Sequence, residues 1–144
     1  MGITNILVPF DGSSFSIKAF NAAIDIAKKQ DSKIFILTCL EKNNLGAWYK
    51  DKQVNRQIIK DAKKFALGFL TKLEEKAEKS GIPVSAYILE TESISKQIVS
   101  FANSKKVDLI VIGSHGRTGF NRFLLGSISN AVNQSSKCPV LIMK

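Results

Sequence analysis

The sequence predicts a doubly wound α/β fold: a five-stranded parallel sheet in the order 3-2-1-4-5, with helices on both faces. Three observations predict it. Five short runs rich in Ile, Val, Leu and Phe recur over residues 3–9, 33–40, 84–89, 107–113 and 139–143. Each is nearly continuous in apolar character rather than alternating, as strands are when both faces of their sheet are covered. Segments of helical spacing separate them, and a parallel strand pair needs a right-handed crossover that lays such a helix on the sheet.

Each element has its own signal. After the first run, Ile17, Phe20, Ile24 and Ala27 fall at i, i+3, i+7 and i+10, one apolar stripe of a helix. After the second, residues 41–56 carry no apolar period and read as a loop or a ragged helix start. Ile58, Ala62, Phe65, Phe69 and Leu73 then mark a long helix that stops at Gly81-Ile82-Pro83. Ile94, Ile98, Phe101 and Ala102 mark a third helix, and Ile128 with Val132, following Gly126-Ser127, a short fourth one before the last run. The 144 residues form one domain in this reading, with no internal repeat or low-complexity tract.

Composition narrows the function classes. At 44% hydrophobic and 23% charged residues the chain is that of an ordinary globular domain, large enough to stabilise a core without a disulfide or a metal. Cys39 and Cys138 lie in apolar runs, without the close spacing of a zinc or redox pair, and fit buried thiols in a reducing compartment. No apolar stretch approaches a membrane span, and the first residues lack a secretory signal. Gly2 does not open a myristoylation pattern, because position 6 is Ile. The expected home is the cytoplasm. The formal charge of +9 raises the prior for a phosphate-bearing ligand without selecting one.

A sheet of this order has a switch point where the chain, having wound outward to strand 3, returns to place strand 4 beside strand 1. Ligands bind there, at the carboxyl ends of strands 1 and 4. Unusual chemistry should therefore follow Pro9 and Ile112, and it does. After Ile112 come Gly113-Ser114-His115-Gly116-Arg117-Thr118-Gly119, a linker, and Gly126-Ser127 opening the last helix. Glycines let a ligand approach main-chain amides closely, and a helix N-terminus adds unpaired N–H groups and the positive end of the helix dipole. The Ser127 hydroxyl adds one more donor. The plain alternative is that Gly113, Gly116 and Gly119 only turn the chain and Ser127 only caps a helix; the position between strand and helix at the switch point favours a polyphosphate cradle over it.

The spacing Gly-x2-Gly-x9-Gly-Ser, here Gly113, Gly116, Gly126 and Ser127, resembles the ATP-binding signature of the universal stress protein family. The start, ILVPFDGSSFSIKAFNAAIDIA, is similar to that family's first strand and helix, and KCPVLIM to its last strand. The resemblance spans essentially the whole chain. It implies a Rossmann-like fold of the adenine nucleotide alpha hydrolase-like kind, an adenine nucleotide held between strands 1 and 4, and a homodimer joined through the last strand, residues 139–143. It further implies that Pro9 and Asp11 lie beside base and ribose, with main-chain groups near Cys39 and Leu40 flanking the adenine. Gly113, Gly116, Gly126, Ser127 and Ser129 would contact the phosphates, with Ile112, His115, Arg117 and Ile128 completing the site. The ligand so implied is ATP, with or without Mg or Mn, or else AMP or ADP. One departure is plain: LETESISKQI lacks the glycine that the family usually has ahead of its third helix.

Other readings of these residues stay open. Asp11 is a helix-capping carboxylate or a contact to ribose or a metal-bound water. His115, the single histidine, has no partners for a triad or a metal site, but its imidazole can donate to phosphate. Arg117 and Arg122 are phosphate forks or solvated loop arginines. Arg56, Lys60 and Lys64, at i, i+4 and i+8, read as a solvated helix face, and Trp48 and Tyr49 as partner-contact or loop-packing residues ahead of stacking on a base or covering the nucleotide. No Walker A motif, paired acidic cluster or evident general base is present. Nucleotide binding in a stress-response dimer is thus expected ahead of slow ATP hydrolysis or phosphotransfer, and both ahead of nucleic-acid binding driven by charge.

Overall fold

The computed structural model describes residues 2–42, 52–116 and 125–144. Along them the elements are β1 (Asn5–Pro9), α1 (Ser14–Gln30), β2 (Lys33–Glu41), α2 (Lys52–Lys79), β3 (Val84–Thr91), α3 (Ile94–Ser104), β4 (Leu109–Gly113), α4 (Ser127–Ser135) and β5 (Val140–Met143). The strands form one parallel sheet in the order β3-β2-β1-β4-β5. This is the doubly wound order read from the alternation of runs and stripes.

The near-continuous apolar runs are explained by strand parity. Ile6, Val8 and Phe10 join the core packed under α1 and α2, while Leu7 between them joins the core under α3 and α4. Successive side chains thus feed opposite layers, and neither face can accept polar residues. Fully buried Phe20, Ile36, Leu70 and Ile110 anchor the two layers, each contributing about 1.5–3 kcal/mol of transfer free energy.

Two kinds of boundary differ from the sequence reading. β1 begins at Asn5 and β4 at Leu109, each two residues inside its apolar run. Here Asp108 replaces the ladder: its Oδ2 accepts from the amides of Thr4 and Asn5, both at 2.9 Å. The helix stripes hold at Phe20, Ile24 and Ala27, at Phe69 and Leu73, and at Ile98, Phe101 and Ala102, and fail at three positions. Ile17, Phe65 and Ile128, assigned to apolar stripes by their spacing, are 45%, 56% and 38% exposed, whereas Ala19, Ala23, Ala66 and Ala77 are buried. Small residues let a helix backbone lie close on the sheet, so bulkier neighbours overhang its edge. α2 starts at Lys52, inside the segment read as a loop or ragged helix start; Trp48 and Tyr49 lie outside the described residues. Arg56, Lys60 and Lys64 are exposed, and Lys63 pairs with Glu90 at 3.6 Å, so this face is a solvated one.

Candidate functional site

β1 has β2 on one side and β4 on the other, so the crossovers leaving it diverge and open a cleft at the carboxyl ends of β1 and β4. The cleft holds about 320 Å³, at the small end of ligand pockets, which run from roughly 300 to 1,000 Å³. From β1 it is lined by Pro9, Phe10 and Asp11, from β2 by Leu37 and Cys39, and from β4 and the turn after it by Ile112, Gly113, His115 and Gly116. Gly126, Ser127, Ile128 and Ser129 bring the start of α4, while Ile94 and Ile98 bring the start of α3.

Of the residues singled out in the sequence, Pro9, Asp11, Cys39, Ile112, Gly113, His115, Gly116, Gly126, Ser127, Ile128 and Ser129 therefore come together around one cavity. Leu40 does not line it. Leu37 and Cys39 face the α3/α4 layer, and the two-residue period of β2 turns Leu40 the other way. Arg117 and Arg122 lie outside the described residues. Sequence reasoning missed Phe10, Ser16, Leu37, Ile94 and Ile98. Leu37 was within reach, since it lies in register with Pro9 across the sheet. Ile94 and Ile98 were seen as helix-stripe residues, but not that the first turns of α3 overhang the cleft.

The β1 side is held by short bonds. The Phe10 amide donates to the Leu37 carbonyl at 2.9 Å, and the Thr38 hydroxyl to the Phe10 carbonyl at 2.9 Å, which carries the sheet one residue past β1. Asp11 Oδ1 then accepts from the Ser13 amide at 2.9 Å, a turn closed by its own side chain. Its second oxygen faces Gly116, where a Cβ would stand 2.8 Å from Oδ2. The N-cap of α1 is Ser13, so Asp11 is not the capping carboxylate: one of its oxygens closes the turn before the cap and the other lies at the cleft.

The glycines of the motif divide their work. A Cβ on Gly113 would lie 2.7 Å from Phe15 Cβ and 2.8 Å from the Phe15 carbonyl carbon, so this glycine admits α1 to the sheet. A Cβ on Gly126 would lie 2.9 Å from the Ser114 carbonyl oxygen. The Gly126 amide donates to that oxygen at 2.7 Å, which corrects the expectation that this amide is free for a phosphate. The Ser129 hydroxyl lies 2.8 Å from the Ser114 carbonyl and 3.0 Å from that of Gly126, so it is engaged by the protein's own backbone, while among the described residues the Ser129 amide is not.

What remains open at this end is the first turn of α4. Gly126 is its N-cap and supplies no side-chain bond. The amides of Ser127, Ile128 and Ser129 precede any intrahelical acceptor and carry the positive end of the helix dipole. His115 sits beside them, buried, with Nδ1 3.1 Å from the Ser114 hydroxyl and its ring 5.4 Å from that of Phe15. The opposite end is apolar, walled by Ile94, Ile98, Leu37 and Cys39. Burial pushes the Cys39 thiol up to about 12, so it stays neutral at physiological pH and behaves as part of that wall.

A switch-point cleft with one apolar end and one end of open main-chain amides is the kind of place where doubly wound α/β proteins take ligands of mixed character. Comparison with known proteins places the chain further. The profile of the universal stress protein family matches residues 2–144, and the chain belongs to that family. It is 34% identical over 145 residues to universal stress protein MJ0531 of Methanocaldococcus jannaschii, covering 96% of this chain and 81% of the relative. Identity to universal stress protein YxiE of Bacillus subtilis is also 34% over 145 residues, covering 96% and 97%. Among solved structures, hypothetical protein MJ0577 superposes with a TM-score of 0.90 at 23% identity, over 100% of this chain and 97% of that one. A universal stress protein in complex with cAMP gives a TM-score of 0.71 at 25% identity, over 99% and 98% of the chains. The universal stress protein of Archaeoglobus fulgidus in complex with dAMP gives 0.69 at 23%, over 100% of both. Among the described residues no helix is long and apolar enough to cross a membrane.

Proposed function

We propose that residues 1–144 act as one domain that binds an adenine nucleotide in the switch-point cleft and regulates partners from a cytoplasmic homodimer. The observation that carries the reading is the polarity of the cleft. Apolar side chains from β2 and α3 close one end, while the uncapped first turn of α4 opens at the other. A purine suits the first and a phosphate the second, because an anion at a helix N-terminus gains both hydrogen bonds and dipole stabilisation. The cAMP and dAMP bound by two structural neighbours support the same ligand class. ATP, with or without Mg or Mn, is the nucleotide we favour over AMP or ADP, since the motif runs on past Gly116 toward the arginines beyond it.

In this assignment Pro9, Ile94, Ile98 and the main chain near Cys39 hold the base, Asp11 the ribose, and Gly116, Ser127 and the α4 amides the phosphates. Dimerisation falls to β5, an edge strand whose outer side has no strand neighbour among the described residues and whose Leu141 is 38% exposed. Isothermal titration of purified protein with ATP, ADP, AMP and adenosine tests the reading. Saturable one-to-one binding that strengthens with added phosphates is expected; no binding by any of the four overturns it. Single-turnover incubation with ATP separates binding from hydrolysis, and intact ATP after hours is the expected result.

A further inference from the structure

Ser114 is a hub on which the glycine turn is built. Only 3% exposed, it donates its amide to the Met143 carbonyl at 2.7 Å, continuing the β4–β5 ladder. Its hydroxyl holds His115 Nδ1 at 3.1 Å. Its carbonyl accepts from the Gly126 amide at 2.7 Å and from the Ser129 hydroxyl at 2.8 Å, so two donors from the start of α4 converge on one oxygen. Ser129 is 2% exposed, and its hydroxyl is also 3.0 Å from the Gly126 carbonyl.

We infer that Ser129 is a positioning residue, whose hydroxyl pins the first turn of α4 to the end of β4 so that its amides meet the phosphates, and does not itself touch the ligand. The inference rests on the nucleotide reading above. Its physical ground is that α4 is short, nine residues, and lacks a side-chain N-cap. A helix start so placed needs another fixed point, or its amides wander relative to the cleft. The Ser114 carbonyl provides that point. Both members of the bond are buried, where a hydrogen bond has little competition from water and is stronger than at the surface. Ser127, next to the same cavity, differs in being exposed, which leaves its hydroxyl to the ligand. Two serines of one motif thereby take different tasks, Ser127 contact and Ser129 alignment.

The test uses the full chain as wild type, Ser129→Ala and Ser129→Thr. Amide hydrogen exchange is read by NMR without ligand, and affinity for ATP and for adenosine by titration. In Ser129→Ala, exchange at Gly126 should accelerate about tenfold before any nucleotide is added, while the β1 amides stay unchanged. ATP affinity should fall about tenfold, the effect of roughly one buried hydrogen bond, and adenosine affinity should stay within about twofold. Ser129→Thr, which keeps the hydroxyl, should restore ATP affinity to within about threefold; if threonine does not fit and the variant fails to fold, the alanine arms decide. ATP affinity lost with Gly126 exchange unchanged would mean a direct contact and overturn the assignment. So would unchanged ATP affinity, or equal losses for ATP and adenosine. If wild type binds neither ligand, the nucleotide reading itself fails and the role of Ser129 goes with it, whereas binding by wild type with any of the other adverse results sinks the inference alone.

Discussion

The two strand-to-helix turns at the switch point solve the same problem in opposite ways. Between β1 and α1 the turn is short and closed on itself. Ser13 caps α1 by accepting from the Ser16 amide at 3.1 Å, the Ser16 hydroxyl returns a bond to the Ser13 carbonyl at 2.9 Å, and Asp11 takes the Ser13 amide. α3 starts similarly, with Ser93 accepting from the Lys96 amide. At α4 the cap is Gly126, which has no side chain to give. Neither α1 nor α4 carries an acid in its first turn. Two helices are capped with serine, while the one at the polar end of the cleft leaves its first-turn amides open to another acceptor. The comparison teaches that a missing cap is informative when the neighbouring helices show that the sequence supplies caps elsewhere.

The largest effect should come from breaking the open turn. In Gly126→Val, the added Cβ would stand 2.9 Å from the Ser114 oxygen and 3.4 Å from His115 Cα, both main chain that cannot step aside cheaply. ATP affinity should fall more than about a hundredfold, which is a loss of about 2.7 kcal/mol, with stability reduced by about 1–3 kcal/mol of overpacking. Titration and urea denaturation read the two. Gly113→Ala is the informative partner. Its methyl would meet Phe15 Cβ at 2.7 Å, so a similar stability loss of about 1–3 kcal/mol is expected, but affinity at subdenaturing temperature should fall less than about threefold. If the two variants lose affinity equally, the glycines share one role and the division of labour drawn here is wrong.

The closed turn gives a smaller effect of the opposite kind. Ser13→Ala removes the α1 cap and should cost about 1 kcal/mol of stability, with ATP affinity unchanged within about twofold. A thermal melt with and without ATP checks both at once. An affinity loss as large as that of Ser129→Ala would show that the α1 start also serves the ligand, and the contrast between the turns would collapse.

The layer order, the switch point and most of the cleft were legible because they follow from local patterns. Continuous apolar runs mean two covered faces, strict alternation means crossovers, and the position of Gly113 to Gly116 after such a run means the mouth of the sheet. What the pattern could not carry was which single stripe positions the sheet leaves exposed, and three-dimensional accounting. Ile17 and Phe65 satisfy the helical period, but the sheet prefers the alanines beside them, a choice made by interlayer distance. The same holds at the site. Gly126 was expected to free an amide for phosphate, yet that amide bonds to Ser114, a residue twelve positions earlier that spacing alone does not connect with it. Leu40 entered through the resemblance, for its main chain; strand parity, which sequence does contain, turns its side chain away from the cleft.

The smallest effect concerns the other end of the cleft and tests whether it is as dry as the α4 end is polar. Burial raises the Cys39 thiol to about 12, above the ordinary cysteine value of about 8.5. The folded protein therefore keeps a proton that the unfolded chain gives up, so this contribution to stability is fully present below about pH 8.5 and is lost as pH rises through about 12. Stability of wild type should fall more steeply between roughly pH 9 and 11 than that of Cys39→Ala, where lysines and tyrosines titrate equally in both and cancel in the difference. At pH 8 a thiol reagent should modify native Cys39 at least about tenfold more slowly than the unfolded chain, because thiolate is the reactive form. ATP should slow it further by covering the cavity, and a reaction rate indifferent to ATP would place the base somewhere other than against β2.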